Sequence, residues 1–580
     1  MRTRLLSLLF ALALVAVACG SDTVATTTAE TTPTTLPPVT TTPETTVAST
    51  TTLAPEPTGC AEWAIRAVDD LTVEITLQDA FGYFPQMVTG APYIPTHPDI
   101  FPEDALNDFP DAPIYGVGPW IITSYTIGED MVMEPNPFYF GEAPSIDRII
   151  VRDFSDPVTM VSAIEKGDID IAWRTIASPD LLDQLDGIDG LTVATVPGGS
   201  IRYLIINHAL TPTDDDNIRK AIASAVDRDE IVDRVGAGRW EPLYSMVPPG
   251  FLGVTEAFDD VYQSPDLDAA RGYLEAAGFS ESNKLELALN YPPEHYGGTV
   301  GDVMQVLIEQ LEATGMMEVT LNAQEWSTYV GAVIGGEDYA VSILGWFFDY
   351  PDPSNYLEPF VYSGGLGTRV TDADNNPIGE RATELVDLLG QAAVSTDQDE
   401  RSALYGQAQE VYAEEVVTLP LWFEAEHVIY WDRVSGDPSL GSVESLNIGP
   451  SFDINYSVMD IEGDSPKTLI VGTTDTIAQF DSADAYAIRD WEVIRNTGIG
   501  LLTFRPGTTE LLPGIAESYE VSDDGTVYTF TLRDDVAFGD GLPLTADLYI
   551  RHLNRMLNLD GSGGVGGALG RPYILCSVEN

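Results

Sequence analysis

Short β-branched runs alternate with amphipathic stretches through most of this chain, and that alternation constrains its fold more than any other feature. Leu71–Leu77 (LTVEITL) switches apolar and polar residue by residue, as a half-buried strand does. Trp120–Ile122 and Ile146–Phe154 (IDRIIVRDF) read as further strands, the first entered through the turn Gly116-Val117-Gly118-Pro119. Pro157–Glu165 then places Val158, Val161 and Ile164 on one helical face, with Gly167 as its stop and Ile169–Ile171 as the next strand. The pattern continues with helices over Asn217–Val232, Leu267–Ala277, Val300–Ala313 and Asp397–Glu414. Strands are expected at Glu318–Leu321, Ala340–Leu344 and the apolar Val416–Phe423. Leu469–Gly472, a helix near Trp491, the strand-rich Tyr519–Leu532 and a helix over Thr545–Met556 follow. Strands alternating with helices argue for α/β layers.

The N-terminus reads differently. Arg2 and Arg4 precede an apolar run, Leu5–Val17, and then Ala18-Cys19-Gly20-Ser21. A basic start, a short apolar core and small residues at the boundary make an export signal, too short for a helical membrane span of about 20 residues. Ala-Val-Ala-Cys resembles the lipobox of bacterial lipoproteins, which makes Cys19 the lipidated first residue of the mature chain; the alternative is ordinary secretion with Cys19 removed. From Asp22 to Thr58 the chain is nearly all Thr, Pro, Ala, Val and Glu, a composition that cannot bury enough apolar area to offset its ordering entropy. It reads as an extended tether.

Charge narrows the partners. Against 27 Lys and Arg stand 91 Asp and Glu, a net charge of −64. Such a surface repels phosphate backbones and anionic lipid, so no nucleic-acid partner is expected. Three cysteines occur. With Cys19 lipidated, Cys60 and Cys576 remain, and an exported chain favours a disulfide between them over two unrelated thiols. Closing so long a loop is worth about 4–5 kcal/mol in a chain-entropy account.

Motifs for catalysis find no support. Gly561-x-Gly563-x-x-Gly566 follows a helix where a pyrophosphate cradle needs a strand, and reads as a surface loop. The histidines, His97, His208, His295, His427 and His552, are scattered without metal-ligand spacing. Asp372-x-Asp374-x-Asn376 has Pro377 where a calcium loop needs Gly, and reads as a turn. Asp214-Asp215-Asp216 reads as the charged start of the following helix. No enzyme activity, cofactor or metal is expected.

Several segments resemble the bacterial extracellular solute-binding proteins of family 5, the peptide receptors of ABC importers. They are AESYEVSDDGTVYTFTLRDDVAFGDGLPLTAD (Ala516–Asp547), GVGPWIITSY (Gly116–Tyr125), NPFYFGEAPSIDRI, AIEKGDIDIA, NIRKAIASAVDRDEIV, SMVPPG and LGWFFDYPDPSNYL (Leu344–Leu357). Tyr519 stands where the family usually has Trp, and Val117 and Trp120 replace the Thr and Tyr of its GTGPY strand.

The resemblance implies an α/β, two-lobed, periplasmic-binding-protein-like (class II) fold with an extra domain. It also implies circularly permuted order, because the pieces at 467–580 come first in the family and those at 60–460 follow. The expected layout is a lipoprotein signal peptide over 1–19, a tether over 20–59, the middle and C-terminal parts over 60–460, a linker over 461–466 and the N-terminal part over 467–580. A tandem pair with a truncated second copy and an assembly artefact are the alternatives.

By the same resemblance the chain is a monomeric extracytoplasmic receptor, anchored to the membrane by lipid. It captures peptides between its lobes for the transmembrane subunits of an ABC permease. Asp349 maps to the aspartate that pairs with a peptide ammonium, or else serves as a turn or capping residue. Trp346, Tyr350 and Tyr486 are the further ligand-binding candidates. An oligosaccharide or other solute is the alternative ligand, and a surface-interaction protein without transport is the alternative role.

Overall fold

The computed structural model describes residues 64–559 and Ile574, apart from residues 174–178, 237, 294, 297–298, 337–338, 363–364, 373 and 437–452 other than Val443. Cys19, Cys60, Cys576 and the glycine motif at 561–566 lie outside the described residues, and so does the tether.

An 11-stranded mixed sheet runs through the body. Its order is Met317–Ala323, Leu285–Tyr291, Val341–Trp346, Leu191–Ile206, Thr418–Trp431, Ile171–Trp173, Thr468–Thr473, Arg148–Asp153, Asp130–Pro135 and Trp120–Tyr125, with Trp240–Pro242 added beside Thr418–Trp431. The two longest strands, Leu191–Ile206 and Thr418–Trp431, pair antiparallel from Thr418↔Ile205 to Trp431↔Leu191. Along them the buried surroundings change. Ile201–Ile206 and Leu419–Phe423 belong to one core with the helices Asp216–Ala225, Leu267–Ala276, Val300–Glu312 and Gln398–Glu415. At the other end, Val193 and Ile429 pack with the helix Pro157–Lys166 and with Leu182 and Leu185, beside a further core built on Ile149, Val151, Ile171 and Leu469. Register shifts at Pro420/Trp422 and Phe423/Ala425 fall where one core gives way to the next. Irregular pairing there bends and twists the strands between two lobes.

A third core lies on a four-stranded sheet, Ile65–Asp69, Thr72–Thr76, Val527–Leu532 and Ala516–Val521. Half of its strands come from each end of the described chain, and the helix Ala546–Asn558 covers it with Tyr549, Leu553 and Met556.

The late segment is thus an inner part of the body. Thr468–Thr473 lies parallel to Arg148–Asp153 over six register pairs and also meets Ile171 and Ala172 on its other side. Asp170, buried, ties it there by accepting from Ile470 N at 2.6 Å while Arg433 Nε donates to its other oxygen at 2.5 Å.

Local signals explain several element ends. Asp156 accepts from Thr159 N at the start of Pro157–Lys166, and Gly167 ends that helix at φ 73°, a conformation open to glycine. Asp215 accepts from Asn217 N as a helix cap, which is the role expected of the acidic cluster. Asp372 accepts from Asp374 N and Asn376 N, closing a turn.

Two expected elements differ. The helix expected over Asn217–Val232 stops at Ala225, because Asp227 accepts from Glu230 N and caps a separate helix, Arg228–Ile231, while Gln310 Oε1 holds Asp227 N. The strand expected over Val416–Phe423 starts at Thr418 and runs on to Trp431, since its partner strand continues beside it.

Candidate functional site

Asp349 sits just beyond the strand Val341–Trp346, in a turn that the helix Pro353–Leu357 closes. Asp352 caps that helix through Ser354 N, and Pro353 occupies its first turn. The helix sets Asn355 against the turn, where its side chain serves three groups. Asn355 Oδ1 accepts from Asp349 N at 3.0 Å and from Trp346 Nε1 at 3.2 Å, and Nδ2 donates to Asp349 Oδ2 at 3.1 Å. Tyr486 OH donates to Asp349 Oδ1 at 2.6 Å from the other end of the chain.

Asp349 is 8 % exposed, and burial pushes its carboxyl above the ordinary range, against the opposing hydrogen bonds from Tyr486 and Asn355. Both named donors are neutral. The site therefore presents a desolvated carboxylate without a cationic side chain among the groups that set its acidity. An ammonium is the group whose charge would complete it. Phe347 and Trp491 flank Tyr486, with ring centroids 6.4 and 5.7 Å away. Thr89, Ile94, Phe348, Pro351, Arg495 and Phe504 line a small adjoining recess of about 30 Å³.

Of the four ligand-binding candidates, the fold joins Asp349 to Trp346 through Asn355 and to Tyr486 directly. Tyr350 goes elsewhere. It is buried in the third core, stacked on Tyr83 at 5.4 Å, and its hydroxyl accepts from Ser354 Oγ. Asp349 and Tyr350 thus meet different groups, Tyr486 and Asn355 for the first, Tyr83 and Ser354 for the second. Asn355 was not among the expected site residues. Its position one helical turn after Pro351-Asp352-Pro353 is the signal that could have found it.

The histidines do not converge. His97 meets Asp540 at 3.1 Å, His552 meets Thr96, and His295 stacks on Trp326. Among the described residues no group of His, Cys, Asp and Glu side chains could hold a metal, and no helix is long and apolar enough to cross a membrane.

Two lobes joined by crossing strands are the architecture of proteins that bind a solute between them. Residues 40–368 and 510–571 match the family described as bacterial extracellular solute-binding proteins, family 5 Middle, and the chain belongs to that family. It is 24% identical over 400 residues to the oligopeptide-binding protein OppA of Bacillus subtilis, covering 66% of this chain and 70% of that protein. To the periplasmic oligopeptide-binding protein OppA of Salmonella typhimurium it is 25% identical, over 62% of this chain and 64% of the relative. The solved structure of the Escherichia coli murein tripeptide binding protein MppA superimposes with a TM-score of 0.52 at 22% identity, covering 69% of this chain and 75% of that one. That likeness is one of fold. The chain thus spans about two thirds of the length of such relatives.

Proposed function

We propose that this protein is the extracytoplasmic substrate-binding component of an ABC importer that captures peptides between its lobes and delivers them to a permease. Solute binding belongs to the family. The peptide is supported by one observation above the rest, the buried Asp349 carboxylate held by the neutral donors Tyr486 and Asn355. A peptide ammonium supplies the missing charge, whereas a neutral sugar would leave the carboxylate desolvated without compensation. In this reading Cys19 carries lipid, and the tether holds a monomeric body off the membrane.

Permuted order and a Cys60–Cys576 bridge are part of the same proposal. Ala64, four residues after Cys60, accepts from Thr76 N at 2.7 Å, and Ile574, two residues before Cys576, bridges to Leu77. Both ends of the described chain thus reach one strand end, which supports a bridge there. Peptide mapping without reductant is expected to yield a cross-linked pair containing both cysteines; two separate alkylatable thiols would exclude it.

Native mass spectrometry of the purified body, with bound molecules released and fragmented, tests the main reading. A series of co-purified peptides is the expected result. Sugars or a chelate would move the ligand class, and a protein that stays empty with an added peptide library would leave a surface-interaction role.

A further inference from the structure

The strand Thr418–Trp431 breaks its register at a proline. Pro420 has no N–H to give a ladder, and proline within a sheet interior calls for an irregularity. Pairing with Leu191–Ile206 accordingly steps from Pro420↔Tyr203 to Trp422↔Arg202, which leaves Leu421 as an extra residue on one strand only. Donors for the two carbonyls at this bulge come from a single stretch of chain. Leu243 N donates to Leu421 O at 3.2 Å, and Arg228 Nε donates to Pro420 O at 2.8 Å.

Arg228 is held for this contact from both ends. Its backbone opens the helix Arg228–Ile231, whose cap Asp227 is fixed through N and O by Gln310 of the helix Val300–Glu312. Its Nη1 donates to Ser264 Oγ at 3.0 Å, and its charged head lies 5.1 and 5.4 Å over the Tyr244 and Phe258 rings. Aromatic faces attract a cation and keep it in place.

The charge is carried at a cost. Arg228 is 1 % exposed, its two acceptors are neutral, and Nη2 is buried with no hydrogen-bond partner among the described residues. Burial pulls the guanidinium down to about 10, against the opposing effects of Tyr244 and Asp259, so it stays charged at neutral pH. A position that needed only volume would be filled more cheaply by an apolar side chain. What such a side chain cannot make is a short, charge-assisted bond to a backbone carbonyl.

That carbonyl stands at the start of a lever. Trp431 is eleven residues beyond Pro420, about 36 Å of strand, so a change of about 10° at the bulge moves the far end by about 6 Å. Leu419, before the bulge, belongs to one lobe's core, while Val428 and Ile429, beyond it, belong to the cores of the other. Trp422, next after the extra residue, stacks on Trp240 at 4.4 Å and reports on the same spot.

We propose that Arg228 is a positioning residue for solute capture. Its guanidinium, seated on Tyr244 and Phe258, clamps the Pro420 carbonyl and so sets the angle at which the strand Thr418–Trp431 leaves one lobe for the other. The clamp acts through the bulge and touches no solute, so it goes beyond the peptide reading and needs only the two-lobed fold.

Small-angle scattering and circular dichroism of the full chain, dialysed free of solute, test it. Arg228→Met keeps the apolar contacts with both rings and removes the bond. It should melt cooperatively, yet its radius of gyration should exceed the parent's. The exciton signal of the Trp240–Trp422 stack, assigned with Trp240→Phe, should fall by half or more. Arg228→Lys, which can still donate to Pro420 O, should recover most of that signal. Ser264→Ala removes the Nη1 acceptor but spares the Pro420 bond, and both readouts should match the parent. If Arg228→Met shows the parent's radius and exciton signal, whatever its melting temperature, Arg228 is a packing residue and the proposal is overturned. Hydrogen exchange on the unmodified protein decides the matter without a variant. Leu243 N should exchange as slowly as the strand Val341–Trp346, and exchange as fast as an exposed loop would mean that the bulge is not held.

Discussion

The Tyr486 hydroxyl donates to Asp349 Oδ1 at 2.6 Å across 137 residues of sequence, and it joins two separate cores. Tyr486 packs with Ala91, Ile94, Trp491 and Ile494, while the strand leading to Asp349 belongs to the core around Ile343 and Leu344. The bond therefore reports the relation between two parts of the body as well as the state of a carboxylate. A ligand cation reaching Asp349 competes for the same oxygen, which couples binding to the lobe boundary.

Asp349→Ala should weaken peptide binding by about 2–5 kcal/mol, the usual loss when a buried charge is left without its partner. Titration calorimetry measures it directly, and an unchanged affinity would remove Asp349 from the role of ammonium acceptor.

Peptide affinity should fall as pH drops, and the fall should begin at higher pH than for an ordinary aspartate. Burial raises the Asp349 pKa, and binding an ammonium needs the ionised form, which is lost as pH falls through that raised value. Tyr486 opposes the rise by donating to the carboxylate. Tyr486→Phe should consequently move the onset further up in pH. Calorimetry over a pH series of both proteins, showing the same onset in each, would refute this linkage.

Glu358 gives a stability prediction of defined sign. Its carboxyl is pushed up to about 8, first by burial and then by the nearby Asp352 carboxylate, against opposing effects of Tyr83 and Arg401. Its Oε1 is buried with no partner. With the folded pKa above the ordinary value of 4.5, its contribution is fully present below pH 4.5 and is lost as pH rises through about 8. Glu358→Gln should therefore melt with the parent at pH 4.5 and about 2 °C or more above it at pH 9. Parallel melting curves at both pH values would show that Glu358 is ionised in the fold.

Asp170→Ala tests how the late segment is held. The side chain accepts from Ile470 N and takes the Arg433 guanidinium, so its loss should cost about 2–3 kcal/mol in denaturant unfolding, as for hydrogen bonds to charged groups. Hydrogen exchange should rise first in Thr468–Thr473. A rise spread evenly over the body would mean that this strand is not held locally by Asp170.

The sequence reached far where structure is local. Helix ends at Asp156, Gly167 and Asp397 follow from capping chemistry within a few residues, and the alternation of Leu71–Leu77 is a property of one strand. The family motifs carried the two-lobed fold, because they are short and contiguous. The long strand Leu191–Ile206 was not legible, since Pro197, Gly198 and Gly199 interrupt it and argue locally for a break. Twelve register pairs with Thr418–Trp431 override that preference, and no window of either segment contains both partners.

The candidate site divides in the same way. Sequence alone put Asp349 among large aromatic side chains just after an expected strand, with a turn as one of its two readings, because Trp346–Pro353 is contiguous. Tertiary structure decided that Tyr486 would reach Asp349 and that Tyr350 would go to another core. The physical reason is distance along the chain. Residue type and spacing specify backbone geometry over one or two turns, whereas the partner of a buried charge is chosen by which distant segments desolvate it together.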